Sequence, residues 1–392
     1  MNEQEVFKQF FYTAVHLNLP VALWRLPYET KVTGIVDLVG NGYNEWSFDS
    51  VQTPAGYVLQ GFDTNNEDLK IFIHASVICL GAELLSLNPD QKHLVSEELW
   101  NRFNEDYSNQ LFTDELLPSF KPDHHNSLAN PDYQNIVQKA VTAVENQEFK
   151  KVVLARNMVK SLKTSPLVVH TFFELCQAYP NAYVSLNFHP STGCWIGASP
   201  ELLLSINKEN IFKTVALAGT QKVSNDSLLA DIVWSHKEIE EQALVARYII
   251  NCFKAIRLRE YEDIGPRTVM AGSLAHLQTD FEVDMVGTGY PNLATLMLSL
   301  LHPTSAVCGM PKQPALDFIN AHENLNRSLF SGYCGPIHFH NQCNLYVNLR
   351  CACVYANAVL LYAGAGITKD SKPEKEWEET NAKMETIGRF FI

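Results

Sequence analysis

The sequence predicts an α+β fold, with largely antiparallel sheets flanked by helices in a single large domain. Two observations favour this class. Strand-like runs follow one another without the regular strand–helix alternation of a parallel sheet, and the long helical patterns lie between those runs or at the end of the chain. The length of 392 residues is enough for one large domain or two ordinary ones, and the sequence contains no internal repeat.

The composition is that of a soluble globular protein, with 46% hydrophobic and 19% charged residues. The formal net charge of −13 argues against a nucleic-acid partner, because such a partner requires a basic surface. An anionic small molecule would therefore need a local cluster of cationic side chains or a metal ion.

Three features predict a cytoplasmic protein without a membrane segment. The N-terminal stretch "MNEQEVFKQFFYTAVHLNLP" has no basic region before an apolar run, so it does not resemble a signal peptide. The most apolar helical stretch, "NLATLMLSLLHP", is too short to span a bilayer. The nine cysteines are irregularly spaced without a C-x-x-C motif, which indicates reduced thiols.

In chain order, residues 1–115 alternate short strand-like runs, such as "GYVLQGF" and "KIFIHASVICL", with polar turns. The stretch "LLPSFKPDHHNSLANPDY" contains three prolines and predicts a loop. The next stretch, "DYQNIVQKAVTAVENQ", has helical periodicity, with Asp132 in its first turn.

The remaining chain mixes strands and helices. Four successive strands are predicted at "FKKVVLARNMV", "AYVSLNF", "GCWIGASPELLLSI" and "IFKTVALAGT". One or two long helices are predicted within "DSLLADIVWSHKEIEEQALVARYIINCFKAI". The run "CNLYVNLRCACVYANAVLLYAGAGI" predicts two antiparallel strands that turn at "ANA".

Two helical segments each carry a pair of glutamates three residues apart, which places both carboxylates on one face. Glu238 and Glu241 lie in "KEIEEQ", while Glu376 and Glu379 precede Lys383 near the C-terminus. Two such helices could form an oxygen-rich site for Mg²⁺. The simpler interpretation is a pair of solvated helix faces, because glutamate is abundant on exposed helices.

Three charged residues interrupt runs that are otherwise apolar. Lys151 opens "KVVLAR", Glu201 lies in "GASPELLLSI" and Arg350 lies in "LYVNLRCACV". Charged side chains are rarely buried unless they are paired or functional. Together with the glycine-rich "ALAGT" and "YAGAGI", they indicate a shared polar pocket. These patterns alone predict an enzyme with a divalent metal.

The chain also resembles the chorismate-utilising enzymes, which include isochorismate, anthranilate, aminodeoxychorismate and salicylate synthases. Eight segments match in the family's order: "KVVLAR", "GASPELLL", "ALAGT", "KEIEEQ", "LHPTSAVCGMP", "NRSLFSGYCG", "NLRCA" and "YAGAGITKDSKPEKEWEETNAKM". They assign a chorismate-binding catalytic region to residues 132–392. Residues 1–115 carry no matching motif and would form a variable N-terminal part of the same domain.

The resemblance implies chorismate as substrate and Mg²⁺ as cofactor. It places the metal on Glu241 and Glu379, supported by Glu238 and Glu376. Its substrate-binding positions are Gly219, Ala306, Arg350, Gly364 and Lys383. His276 is a further candidate for the pocket, and the alternative is a structural histidine. Arg350 and the backbone near Gly364 would hold the enolpyruvyl carboxylate, which a guanidinium can bind through two parallel hydrogen bonds.

One residue departs from the family's pattern. Relatives often have histidine directly after the metal-binding glutamate, where this chain has Gln242. The amide of glutamine does not titrate, so a proton-transfer role for this side chain is in doubt.

Within the family, two positions and "LHPT" favour isochorismate synthase. Ammonia-using and salicylate-forming relatives usually have threonine at the position of Ala306, and salicylate synthases tend to have tyrosine at the position of Phe330. No glutamine amidotransferase subunit is therefore expected. The alternatives are a salicylate synthase, an anthranilate or aminodeoxychorismate synthase, or a protein that binds chorismate without turnover. Both menaquinone and siderophore synthesis stay open as destinations of the product.

The resemblance also implies two catalytic roles. Lys151 would be the general base that activates water for attack on ring C2, for which it must be neutral. Glu201 would be the general acid that protonates the departing C4 hydroxyl, for which it must be protonated. Because the two roles exchange in the reverse direction, a reversible reaction is expected.

Overall fold

The computed structural model describes residues 2–39, 48, 53–63, 66, 69–81, 83–109, 117–121, 129–222, 232–271 and 274–391. Within these ranges the chain forms eight α-helices and 18 strands, arranged in two sheets. All strand pairs of the described residues are antiparallel. The predicted α+β class with largely antiparallel sheets is thus confirmed.

The first part of the chain forms α1 (Glu3–His16), β1 (Val21–Arg25), β2 (Thr33–Val36), β3 (Gly56–Gln60), β4 (Lys70–His74), β5 (Val77–Leu80), β6 (Glu83–Leu87), a short 3-10 helix (Lys92–Leu94) and α2 (Glu97–Asn109). The middle forms α3 (Asn130–Glu145), β7 (Lys151–Ser161), α4 (Val168–Ala178), β8 (Tyr183–His189), β9 (Gly193–Ser199), β10 (Leu202–Ile206), β11 (Ile211–Lys222) and α5 (His236–Ala255). The last part forms β12 (Glu262–Ala271), β13 (Leu274–Asp284), α6 (Leu293–Leu301), β14 (Gly309–Met310), α7 (Lys312–His322), β15 (Tyr333–Ile337), β16 (Cys343–Val347), β17 (Cys351–Val354), β18 (Ala358–Ile367) and α8 (Pro373–Gly388).

The two sheets differ in size. The larger sheet has ten strands in the order β14-β7-β18-β17-β9-β8-β1-β2-β5-β6, and the smaller has eight in the order β12-β13-β11-β10-β16-β15-β3-β4. The N-terminal strands extend both sheets, because β1 pairs with β8 and β3 pairs with β15. Strands β1 to β6 are therefore part of these two sheets.

Buried apolar side chains form three clusters. One joins the smaller sheet and strands β7 and β18 of the larger sheet to α3, α5, α6 and α7. Another lies where the larger sheet packs against α1, α2, α4 and α8. The third lies between the sheets and is rich in aromatic rings, such as Tyr183 and Tyr346, which stack with centroids 4.1 Å apart. Stacking of aromatic rings adds to the stability gained from apolar burial.

Two predicted strands are wrong in their extent, because each is broken where the chain passes between the sheets. "GCWIGASPELLLSI" divides into β9 of the larger sheet and β10 of the smaller one, with the break at Pro200 and Glu201. Proline has no N–H to donate to a ladder, so a strand readily ends there. "CNLYVNLRCACV" divides into β16 and β17 at residues 348–350, where Arg350 has a φ of 48°. A left-handed residue cannot continue a strand.

The described part of the long helical stretch forms one helix, α5, which begins with a capping box. The side chain of Glu238 accepts a hydrogen bond from the backbone N–H of Ser235, 2.9 Å away. In return, the Ser235 side chain accepts a hydrogen bond from the backbone N–H of Glu238. Residues 223–231 lie outside the described ranges. Among the helices of the described ranges, none combines the length and apolar character needed to cross a membrane.

Candidate active site

The candidate site lies at the two places where the chain passes between the sheets. Glu201 follows β9 and precedes β10, and Arg350 lies between β16 and β17. The two crossings are bonded to each other: Val347 N–H donates to the Glu201 carbonyl at 3.0 Å, and Ala198 N–H donates to the Arg350 carbonyl at 3.0 Å. These backbone bonds fix the positions from which an acid and a guanidinium project.

Glu201 is half-buried, and its carboxyl holds a proton more tightly than usual. Burial raises its pKa to about 7, although Lys151, a hydrogen bond from Thr304, Arg350 and Lys383 each lower it. The Thr304 hydroxyl donates to Glu201 Oε1 at 3.4 Å. A carboxyl group that is substantially protonated at neutral pH can act as a general acid.

Lys151 is the first residue of β7, at the edge where β14 pairs with it. Its side chain lies over Gly366 of the neighbouring strand β18, where a Cβ atom would come within 2.7 Å of Lys151 Cε. Gly366 thus leaves space for this lysine. The charge of Lys151 lowers the pKa of the Glu201 carboxyl, so the two side chains are close enough for their charges to interact.

Lys383, on α8, contributes a second cation. Its Nζ forms an ion pair with Glu379 Oε1 at 2.5 Å and donates to the Gly364 carbonyl at 2.8 Å. Burial lowers the pKa of Lys383; Glu379 opposes this effect, and Arg350 and Lys151 add to it. The predicted substrate residues Gly364 and Lys383 are therefore in direct contact.

Arg350 contributes a third cation beside these groups. Burial lowers the pKa of its guanidinium, while Glu379 and Glu201 act in the opposite direction. An arginine stays protonated in proteins, so the site contains a fixed positive charge.

His276 and Gly219 line the smaller-sheet side of the site. His276 Nδ1 lies 3.1 Å from the Gly219 carbonyl, which can only accept, so Nδ1 carries the proton. Burial, the charge of Arg350 and that of Lys383 lower the pKa of His276 to about 4, despite that backbone bond. The imidazole is consequently neutral at neutral pH.

Gly219 also brings α5 against the site. It lies at a bulge in β11 with a φ of 70°, and a Cβ atom there would come within 3.0 Å of Glu238 Cβ. Glycine is favoured at this position both by the left-handed backbone and by the close approach of the helix.

The proposed metal ligands can be compared with what Mg²⁺ requires. All four are carboxylates, and oxygen donors of this type suit Mg²⁺. Glu376 is 8% exposed, and its charge contributes, after burial, to the raised pKa of Tyr133, with a smaller contribution from Glu379. The described residues contain no group of three or more His, Cys, Asp or Glu side chains already arranged to hold a metal. By type the four carboxylates suit Mg²⁺, whereas in this structure Glu379 is paired with Lys383 and Glu238 accepts a hydrogen bond from Ser235 at the start of its own helix.

Ala306 lies in the turn between α6 and β14 and is half-buried, two residues after Thr304. Phe330 lies elsewhere, in a buried aromatic stack with Tyr362, whose centroid is 5.5 Å away. Gln242 is 3% exposed and donates to the Ala216 carbonyl and the Thr279 hydroxyl, both at 3.0 Å. It fastens α5 to the sheet.

Sequence reasoning missed three residues that organise the site. Thr304 bonds the candidate acid, Arg327 binds the turn that carries Ala306, and Arg156 binds α8. All three lie within or beside the matching segments, in "LHPT", "NRSLFSGYCG" and "KVVLAR". The two arginines could have been found as charges in runs that are otherwise poor in charge.

The fold with its two antiparallel sheets also appears in known structures. The menaquinone-specific isochorismate synthase MenF from Escherichia coli aligns with 95% of this chain and 89% of its own, with a TM-score of 0.75 and 20% identity. A putative 2,3-dihydroxybenzoate-specific isochorismate synthase, DhbC from Bacillus anthracis, aligns with 99% of both chains, with a TM-score of 0.72 and 21% identity. At these identities the likeness shows the fold.

The sequence identifies the family. The profile of the family described as "Chorismate binding enzyme" matches residues 68–391, and the chain belongs to that family. Isochorismate synthase EntC of Escherichia coli K12 is 31% identical over 267 residues, which are 66% of each chain. The chain thus spans just under two thirds of the length of this relative.

Proposed function

We propose that this protein is an isochorismate synthase, which converts chorismate to isochorismate reversibly and requires Mg²⁺. The observation that carries the proposal is the site between the sheets, where Lys151 and Glu201 interact beside Arg350 and Lys383. The similarity to EntC, with which the chain shares 31% identity, supports the same activity.

The binding step uses the cations of the site. Chorismate is a dianion, and in a chain of net charge −13 it requires a local positive field. Arg350 would hold the enolpyruvyl carboxylate, and Lys383 would exchange Glu379 for a substrate carboxylate. Mg²⁺, when bound by Glu241 and Glu379 with their neighbouring glutamates, would add positive charge at the ring carboxylate and polarise it.

The chemical step uses the two ends of the site. Neutral Lys151 would accept a proton from water while the water oxygen bonds to ring C2. Glu201 would donate its proton to the C4 hydroxyl, which leaves as water while the ring double bonds shift. One water enters and one leaves, so the reaction is an isomerisation. A pKa of about 7 for Glu201 supports its role as the acid.

Product analysis after incubation with chorismate and Mg²⁺ tests the proposal. We expect isochorismate, without pyruvate release and without dependence on ammonium, glutamine or a glutamine amidotransferase subunit. Accumulation of salicylate or of an amino-substituted product would support the alternatives, and the absence of turnover would indicate a binding protein.

Steady-state kinetics test the two catalytic roles. Lys151→Ala and Glu201→Gln should each lower kcat by about a hundredfold or more, with KM much less affected, because each removes a proton transfer. Exposed matched controls, Lys163→Ala and Glu209→Gln, should behave like the wild type. A Lys151→Ala variant that raises only KM would leave the water-activating base unassigned.

A further inference from the structure

The turn between α6 and β14 brings a hydroxyl group to the candidate general acid. Thr304 Oγ1 lies 3.4 Å from Glu201 Oε1, and the hydroxyl donates to that oxygen. The backbone of Thr304 is held as well, since its carbonyl accepts from the N–H groups of Val307 at 3.1 Å and Cys308 at 2.9 Å. The hydroxyl therefore projects from a closed turn.

Two charged side chains hold this turn by donating hydrogen bonds to its backbone carbonyls. Lys312 Nζ donates to the carbonyl of His302, two residues before Thr304. Arg327 Nη1 donates to the carbonyl of Val307 at 2.9 Å, while its Nη2 donates to Val153 of β7 at 2.9 Å. The turn is thus tied to the strand that begins with Lys151.

Arg327 is itself held rigidly. It forms two parallel hydrogen bonds with Glu323, at 2.6 and 2.7 Å, and the two side chains are only 3% and 2% exposed. Glu323 also accepts from the backbone N–H of Ala155 at 2.8 Å. A buried pair with this geometry is strongly oriented, so the place of Thr304 relative to β7 is fixed.

We propose that Thr304 is the positioning residue of the general acid: its hydroxyl binds Glu201 Oε1, so that the proton to be transferred resides on Oε2. This inference rests on the role of Glu201 in the proposed function. A carboxylic acid carries its proton on one oxygen, and an external donor to the other oxygen determines which one it is. No further group is needed for the proton balance.

The hydroxyl also limits how tightly Glu201 holds its proton. A donor to a carboxylate stabilises the charged form and lowers the pKa of the carboxyl, against the effect of burial. Without this donor the pKa of Glu201 should rise above its value of about 7. Because the acid must be protonated, loss of activity at high pH should then begin at a higher pH.

The test compares Thr304→Val, which keeps the shape and removes the hydroxyl, with Thr304→Ser, which keeps the hydroxyl. In Thr304→Val, the fall of kcat/KM at high pH (the alkaline limb of the pH profile) should shift to higher pH by about 0.5 or more. The variant should also lower kcat about three- to tenfold, with KM nearly unchanged. Thr304→Ser should retain the wild-type limb. Thr304→Ala must shift the limb in the same direction as Thr304→Val, which keeps the test decisive if one variant folds poorly.

Thr214→Val is the control, because the Thr214 side chain is buried and its hydroxyl donates to the Leu203 carbonyl at 2.7 Å rather than to Glu201. Thr214→Val should lower the stability of the protein without shifting the alkaline limb of the kcat/KM profile. A second readout needs no turnover: the infrared band of the Glu201 carboxyl, identified by its absence in Glu201→Gln, should titrate at higher pH in Thr304→Val.

The outcomes separate this inference from the proposed function. If Glu201→Gln keeps full turnover, the acid assignment fails, and the infrared band alone decides whether Thr304 binds Glu201. If Glu201→Gln is inactive but Thr304→Val shows the wild-type limb and band, the positioning role of Thr304 is overturned.

Discussion

At the scale of single residues, the candidate site depends on the pKa of one carboxyl group, that of Glu201. Glu201 interacts with two lysines, an arginine and a hydroxyl donor, all of which favour its charged form, yet burial raises its pKa to about 7. The cost of moving a carboxylate out of water thus exceeds the attraction of its neighbours. A group in this balance can release its proton when a substrate alters the surrounding charge.

This balance predicts a pH dependence of stability. The pKa of Glu201 is raised from an ordinary 4.5 to about 7 in the folded protein, so its stabilising contribution is complete below about pH 4.5 and is lost as pH rises through about 7. The loss by pH 8 should be about 1–3 kcal/mol. Glu201→Gln lacks this titration, so its melting temperature relative to wild type should increase between pH 5 and pH 8.

Thermal unfolding of both proteins at several pH values measures this difference. Glu209→Gln, at an exposed turn, is the control and should follow the wild type throughout. Parallel pH profiles for Glu201→Gln and wild type would show that the carboxyl is not held in its protonated form.

At the scale of secondary structure elements, α8 determines where the C-terminal charges lie. Arg156 of β7 is 1% exposed, and its guanidinium lies 3.6 Å from the centre of the Trp377 ring on α8. It also donates to Thr380 Oγ1 at 2.8 Å and to Asn381 Oδ1. These contacts hold the helix that carries Glu376, Glu379 and Lys383.

Arg156→Met should therefore destabilise the protein and weaken substrate binding. It keeps an apolar chain of similar length but removes a desolvated cation–π contact and two hydrogen bonds, for an expected loss of about 2–4 kcal/mol. KM for chorismate should rise more than kcat falls, because Lys383 moves with α8. Urea unfolding and steady-state kinetics measure the two effects.

Arg156→Lys is the informative comparison, since it retains the charge but not the planar, two-sided donor. It should lie between wild type and Arg156→Met in stability. Wild-type unfolding and KM in Arg156→Met would rule out a role for this arginine in placing the helix.

Some elements were predictable from the sequence and others were not, for physical reasons. The hairpin of β17 and β18 followed from strand-like runs around a short turn. The breaks at Glu201 and Arg350 did not, because apolar residues lie on both sides of each break and the local pattern does not show that the chain passes from one sheet to the other there. The charges of Lys151, Glu201 and Arg350 were conspicuous in such runs, whereas Thr304, a common turn residue, was not.

At the scale of the whole molecule, the N-terminal strands complete both sheets. Trp24 of β1 is paired with Ser185 of β8, and Val58 of β3 with Gly335 of β15. Pairings between residues so far apart in sequence cannot be inferred from local patterns. The sequence of residues 1–115 therefore predicted strands but not the strands with which they pair. Their contribution is to cover edges that would otherwise be exposed.

Removal of residues 1–115 should therefore yield an insoluble chain. It would expose the hydrogen-bonding edges of β8 and β15 together with the aromatic cluster between the sheets, and bare edges of this kind promote aggregation. Solubility and size-exclusion chromatography of the 116–392 fragment measure the effect. A soluble, active fragment would show that the C-terminal region folds independently.

The ion pair of Lys383 and Glu379 should make the binding of a cation and of an anion at this site cooperative. As the site stands, each charge neutralises the other at 2.5 Å. A divalent cation that takes Glu379 leaves the ammonium without its counter-charge, and a carboxylate that takes Lys383 leaves the glutamate available for the cation. Each ligand should thus increase the affinity for the other by the same factor, of about 5- to 150-fold. Calorimetric titration of Lys151→Ala with Mg²⁺, with and without chorismate, measures that factor, and equal affinities in the two titrations would show that the pair opens independently of both ligands.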